Sequence, residues 1–221
     1  MAINKRGQIY TWGINYFGEL GINGDAVIIN PTKIQLQNVI KICCGKFYTV
    51  ALTKFGEVFT WGRNYYGQLG LGNYDNQSFP KRLDLKNIKE IYCGSFHTIA
   101  ISTLGDIYVW GNNNWGQLGL NDFYQYNAPQ LLNLKNIKEI YCYNNHTIAL
   151  NKFGEVFAWG NNEYGQLGLD QKLYPFCLEP VKIMDNIINI STGSRHTIVL
   201  NKFNEFFQWG NGNHIPQQII F

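Results

Sequence analysis

Apolar and polar positions along this chain alternate over runs of five or six residues. KEIYC at 89–93, HTIAI at 97–101, DIYVW at 106–110 and PQLLNL at 129–134 are all of strand length and rich in Ile, Val, Tyr and Leu, which is the pattern of short strands. No window of ten or more residues keeps a 3.6-residue period, because Gly or Asn interrupts each one. An all-β chain is expected.

The runs recur. Trp-Gly stands at Trp12, Trp61, Trp110, Trp159 and Trp209, at separations of 49, 49, 49 and 50 residues, so one supersecondary unit is copied four to five times. The copies read GQIYTWGINYFGELGIN from Gly7, GEVFTWGRNYYGQLGLG from Gly56, GDIYVWGNNNWGQLGLN from Gly105 and GEVFAWGNNEYGQLGLD from Gly154. After a loop comes Pro31, Pro80, Pro129 or Pro180, and then LKNIKEIYC or a close relative, as at Leu85 and Leu134. The units run 7–55, 56–104, 105–153 and 154–203, with a partial unit 204–221, in a single repeat domain 1–221. Each holds four strands, A to D, the arrangement of a β-propeller blade.

In register, these segments resemble the regulator-of-chromosome-condensation repeat family. Its unit reads Gly-x-Val-Tyr-x-Trp-Gly-x-Asn-x-x-Gly-Gln-Leu-Gly, then Pro, then Cys-Gly-x-x-His-Thr-x-Ala-Leu. The likeness covers nearly the whole chain. It implies a propeller of four-stranded blades, usually seven, that serves as a platform for binding other proteins. Members include the nucleotide exchange factor for the GTPase Ran, ubiquitin-ligase accessories, ciliary scaffolds, and bacterial inhibitors or effectors.

MAINKRGQIYTWG aligns with IALNKFGEVFAWG from Ile148, which puts Met1 inside strand B of a blade whose strand A is missing; NEFFQWGNGNHIPQQIIF supplies strand C and a shortened D. About four and a half to five units are therefore expected, in a ring that is incomplete or small. Seven units would need roughly 340 residues at this period. Three outcomes are open: an imperfectly closed small ring, an arc completed by another chain through its open blade edges, or a fragment of a longer array.

Most repeated columns read as structural. The Trp column fills space between blades. Gly18, Gly67, Gly116 and Gly165 mark turns, and Asn15, Asn64, Asn113 and Asn162 shape them. Cys44, Cys93 and Cys142 share a column with Thr192, and this equivalence argues against a disulfide and against a metal site; Cys177 falls in a loop as a free thiol. His97, His146 and His196, with Tyr48 as their first-unit equivalent, mainly satisfy backbone groups at the A to B turn.

Because strands alternate in direction, the A to B and C to D loops emerge at one end of each blade. That end carries the candidate partner-binding residues: Tyr48, His97, His146, His196, Arg195, Phe17, Tyr66, Trp115 and Tyr164. It is aromatic and poor in charge, as interfaces are. The other end carries Lys5, Lys54, Lys86, Lys135, Lys152 and Lys202 and should be mildly basic and hydrated.

Composition narrows the function. The 18 basic and 15 acidic residues give +3 with no run of like charge, so nucleic-acid binding is disfavoured. Five Cys and no apolar leader segment disfavour a disulfide-stapled secreted protein, and a cytoplasmic or nuclear location is expected. No set with catalytic or metal-ligand spacing occurs, so no catalytic residue, metal or cofactor is expected. The leading reading is a non-enzymatic protein-interaction scaffold that does not engage membranes. Its alternatives are an exchange factor or regulator for a Ran-like small GTPase, and a fragment of a longer array. In the exchange factor the resemblance implies GTPase contacts from His and acidic residues of the Gly-x-x-His-Thr loops. Here those loops read GKFYT, GSFHT, YNNHT and GSRHT, without Asp or Glu, and the Trp-to-Pro spacing of 19 or 21 leaves no room for a protruding hairpin.

Overall fold

The computed structural model describes residues 1–24 and 26–220. Its described residues form strands and turns. β1 (Ala2–Ile3), β2 (Ile9–Ile14) and β3 (Val27–Lys33) make a three-stranded sheet. Four four-stranded sheets follow: β4 (Val39–Cys44), β5 (Tyr48–Thr53), β6 (Val58–Gly62) and β7 (Gln77–Arg82); β8 (Ile88–Cys93), β9 (His97–Ser102), β10 (Ile107–Gly111) and β11 (Tyr126–Leu132); β12 (Ile137–Tyr143), β13 (His146–Asn151), β14 (Val156–Asn161) and β15 (Phe176–Met184); and β16 (Ile187–Thr192), β17 (His196–Asn201), β18 (Phe206–Gly210) and β19 (Asn213–Ile219). All neighbours within a sheet are antiparallel and in chain order, which makes each sheet a propeller-type blade of strands A to D. In the first sheet β1 pairs with β2 as strand B pairs with strand C in the other blades, in keeping with the alignment of Met1 with strand B.

Two compact units divide the chain. One takes residues 1–112 and 125–131, the other 113–124 and 132–221. In the first, strands β5 and β9 are buried along their whole length, and each is an inner strand of its sheet. Its core fills the space between blades: Val50, Leu52 and Val58 of one blade pack with Ile88, Ile91, Ala100 and Trp110 of the next. The outer strands carry Pro31, Pro80, Pro129, Pro180 and Pro216. Proline cannot donate to a further strand, so these edges resist pairing with another sheet.

Three expectations need correction. The last strand D is not shortened: β19 has 7 residues, like β11. What is short is its hairpin, where Asn211 and Gly212 take φ of 52° and 95° in place of the long C to D loop. Cys177 lies in strand β15 and is buried, not in a loop. Finally, Cys43 and Cys93 form a disulfide between β4 and β8. The pairing is not visible in the cysteine column because Cys43 sits one residue out of it. Successive strand residues point to opposite faces, so Cys43 faces the following blade and meets the column residue Cys93 there.

Candidate functional site

A repeated latch sets the loops in place. In the first unit the carbonyl of Gln68, in a C to D loop, accepts hydrogen bonds from Trp110 Nε1 and Thr98 Oγ1 of the next blade, both at 2.9 Å. The Glu19 carbonyl does the same for Trp61 at 3.0 Å and Thr49 at 2.9 Å. In the second unit Gln117 serves Trp159 and Thr147, and Gln166 serves Trp209 and Thr197. These four Trp side chains are at most 1 % exposed, whereas Trp12, which meets no such carbonyl among the described residues, is 41 % exposed.

Each C to D turn is held from inside. Asn64 Oδ1 accepts from the Leu69 amide at 3.0 Å while its Nδ2 donates to the Asn73 carbonyl at 2.9 Å; Asn15, Asn113 and Asn162 repeat the first bond. Gln68 folds back to accept the Tyr66 amide. Gly67 has φ of +74°, and a Cβ there would lie 2.5 Å from the Asn127 backbone, so neither the conformation nor the space admits a side chain.

The nine candidates separate by burial. Tyr48, His97 and His146 are fully buried, which removes them from the surface available to a partner. The Tyr48 hydroxyl donates to the His97 carbonyl at 2.6 Å, and a Cβ on Gly94 would fall 2.0 Å from His97 Cε1. These rings occupy the space that the turn glycine leaves. His146 differs because Tyr143 stands where Gly94 does, in a tight hairpin through Asn144 (φ 42°). Burial pushes the His146 imidazole down to about 4, with the Tyr143 backbone opposing it only in part. Phe17, Tyr66 and Tyr164 are half-buried, and Trp115, Arg195 and His196 are exposed.

The accessible candidates gather with neighbours the column reading passed over. In the first unit Phe17 packs on Phe47 of the following A to B turn, centroids 5.3 Å apart, and Tyr66 on Phe96 at 5.0 Å. Arg63 lies over Phe17 at 5.0 Å and Phe96 at 5.5 Å. In the second unit Arg195 lies over Tyr164 at 4.0 Å. The signal for Arg63 was its departure from the residue after Trp-Gly in the other repeats.

The opposite ends are not simply basic and hydrated. Phe55 and Leu104 in the first unit and Phe153 and Phe203 in the second are exposed at the tips of the B to C turns, with Lys54 over Phe55 and Lys202 over Phe203. A side chain at a two-strand turn tip stands beyond the sheet faces that bury the core, so an apolar residue there stays largely in water. Burial raises the Cys142 thiol to about 12 and Cys177 to about 11, which leaves both poor nucleophiles. Among the described residues no group of three or more His, Cys, Asp or Glu is placed to hold a metal ion.

The "Regulator of chromosome condensation (RCC1) repeat" matches residues 6–52, 56–101, 105–150 and 154–200. The human probable E3 ubiquitin-protein ligase HERC4 is 40% identical over 55 residues, 24% of this chain and 5% of that protein. Among solved structures, human WBSCR16 matches with a TM-score of 0.84 at 23% identity, over 96% of this chain and 61% of that one. Prp20p from Saccharomyces cerevisiae, whose structure is described together with its binding to Gsp1p and histones, matches with a TM-score of 0.80 at 22% identity, over 97% and 59%. This chain thus spans a small part of the ligase and about three-fifths of the two solved chains. With four matched repeats taking in most of its length and a fold shared with these structures, the protein belongs to the RCC1 repeat family.

Proposed function

We propose that this protein is a non-enzymatic scaffold that binds another protein at the blade ends carrying the A to B turns and C to D loops. One observation carries the reading. The repeated Asn and Gln side chains of these loops, such as Asn64, Gln68, Asn113 and Asn162, are turned inward to hold the backbone, while Trp115, Arg195 and His196 are left exposed. Aromatic and Arg side chains on a rigid support are the groups that most often dominate binding energy.

Regulation of a small GTPase is a second reading, favoured by the similarity to Prp20p and its described binding to Gsp1p. Against it stand the four acid-free turns and the burial of His97 and His146. Release of labelled GDP from a panel of small GTPases tests the pair. The scaffold reading expects no acceleration. Acceleration that disappears in an Arg195→Ala, His196→Ala double variant would overturn it.

A further inference from the structure

The residue after Trp-Gly is Ile14, Arg63, Asn112, Asn161 or Asn211, so the second repeat alone places a cation there. Arg63 is fixed at both ends of its length. Its backbone N–H donates to the Phe47 carbonyl at 2.8 Å, and its guanidinium carbon lies 5.0 Å from the Phe17 ring, 5.5 Å from Phe96 and 5.7 Å from Tyr65. Lys46 comes in from the neighbouring turn, its Nζ 5.9 Å from Phe96 and 6.0 Å from Phe47. The Lys46 amide donates to the Ser95 carbonyl at 2.9 Å, which ties the two A to B turns together.

Neither cation is ion-paired among the described residues, although Lys41, Arg82 and Lys182 elsewhere each meet a carboxylate. The segments that build the cluster, 14–17, 45–47, 63–66 and 94–96, contain no Asp or Glu. Glu19 is buried and accepts the Phe17 amide, and Asp75 lies further along the long loop. A guanidinium resting on aromatic faces keeps its charge, and the N–H edges of its plane remain open to acceptors. Those edges match the two oxygens of a carboxylate.

We infer that this cluster binds an acidic protein segment, with an Asp or Glu carboxylate held between Arg63 and Lys46 and an adjoining apolar side chain against Phe17 and Tyr65. The inference rests on the scaffold reading and adds the chemistry of the partner. Nucleic acid fits less well, because two cations neutralise too few phosphates to give strong binding.

Fluorescence anisotropy tests this with the full chain and three probes: a short fluorescein-labelled peptide rich in Asp and Glu with one Phe and one Leu, the same peptide with every acid changed to Lys, and an oligo-dT of equal length. The acidic peptide should bind and the Lys peptide should not. Arg63→Ala should weaken binding at least about tenfold, and Arg63→Lys should recover only part of the loss, since an ammonium lacks the planar fork. Unchanged thermal melting of Arg63→Ala would show that the fold is intact. The inference is overturned if the acidic peptide does not bind, if both peptides bind alike, if Arg63→Ala has no effect, or if oligo-dT binds more tightly. Should a protein partner be found whose affinity depends on Trp115 or Arg195 but not on Arg63, the scaffold reading stands and this inference falls alone.

Discussion

Trp12 and Trp110 occupy the same place in the same motif and differ in their surroundings. Trp110 is sealed between blades and donates to the Gln68 carbonyl, whereas Trp12 is partly exposed. Trp110→Ala should therefore destabilise the protein by about 3–5 kcal/mol, as for other large core truncations. Trp12→Ala should cost less than about 1 kcal/mol. Urea unfolding followed by circular dichroism measures both. At His146 the pH dependence has a definite sign. The folded state keeps the imidazole neutral down to about 4, while the unfolded chain takes up its proton near 6.5. Stability is therefore lost as pH falls from about 6.5 to 4, by roughly 3 kcal/mol in all, and His146→Phe should flatten that part of the profile. The carboxyls of Glu139, held low chiefly by the Tyr141 hydroxyl, and Glu155, held low chiefly by Lys182, lose their contribution from about 4.5 downward, so they overlap only the acid end of that window. Cys43 and Cys93 close a loop of sequence separation 50, and reducing them should lower stability by about 3–4 kcal/mol. Reductant should shift the unfolding midpoint of the wild type but not of Cys93→Ser.

Blades and their hairpins were largely legible in the sequence, for a physical reason. A side chain that makes the same contact in every blade recurs at a fixed interval, so the Trp, Asn and turn-Gly columns announced both the strands and the loop ends. The donors of the latch were only half visible, because Thr49, Thr98, Thr147 and Thr197 looked like neighbours of the His column when they share its carbonyl acceptor with Trp. Single-copy features were not carried by the repeated columns: Cys43 lies outside them, while Arg63 and Tyr143 show only as departures from them. Burial of Tyr48, His97 and His146 was also beyond it, since a motif position does not say which way a ring turns. The loop itself is testable. Asn64→Ala would strand the buried Leu69 amide and free the Asn73 carbonyl, at a cost of about 2–3 kcal/mol. Hydrogen exchange should quicken across residues 63–76, while the amides of β9 keep their protection.

For the molecule as a whole, what matters is which blade ends meet a partner, because both ends expose aromatic side chains. Within each unit, the aromatic side chains at one end of its blades sit on internally braced loops, beside Arg63 in the first unit and Arg195 in the second, and those at the other end stand at turn tips, Phe55 in the first and Phe153 and Phe203 in the second. Ordered support lowers the entropy lost on binding, which favours the first. The most direct test takes protein binders selected against the folded chain from a display library. Their affinities are then measured by calorimetry for two variant sets, Trp115→Ala with Arg195→Ala and Phe55→Ser with Phe153→Ser. A loss of about tenfold or more in the first set, with the second unchanged, is the predicted result. Loss confined to the second set would contradict the assignment of the binding end.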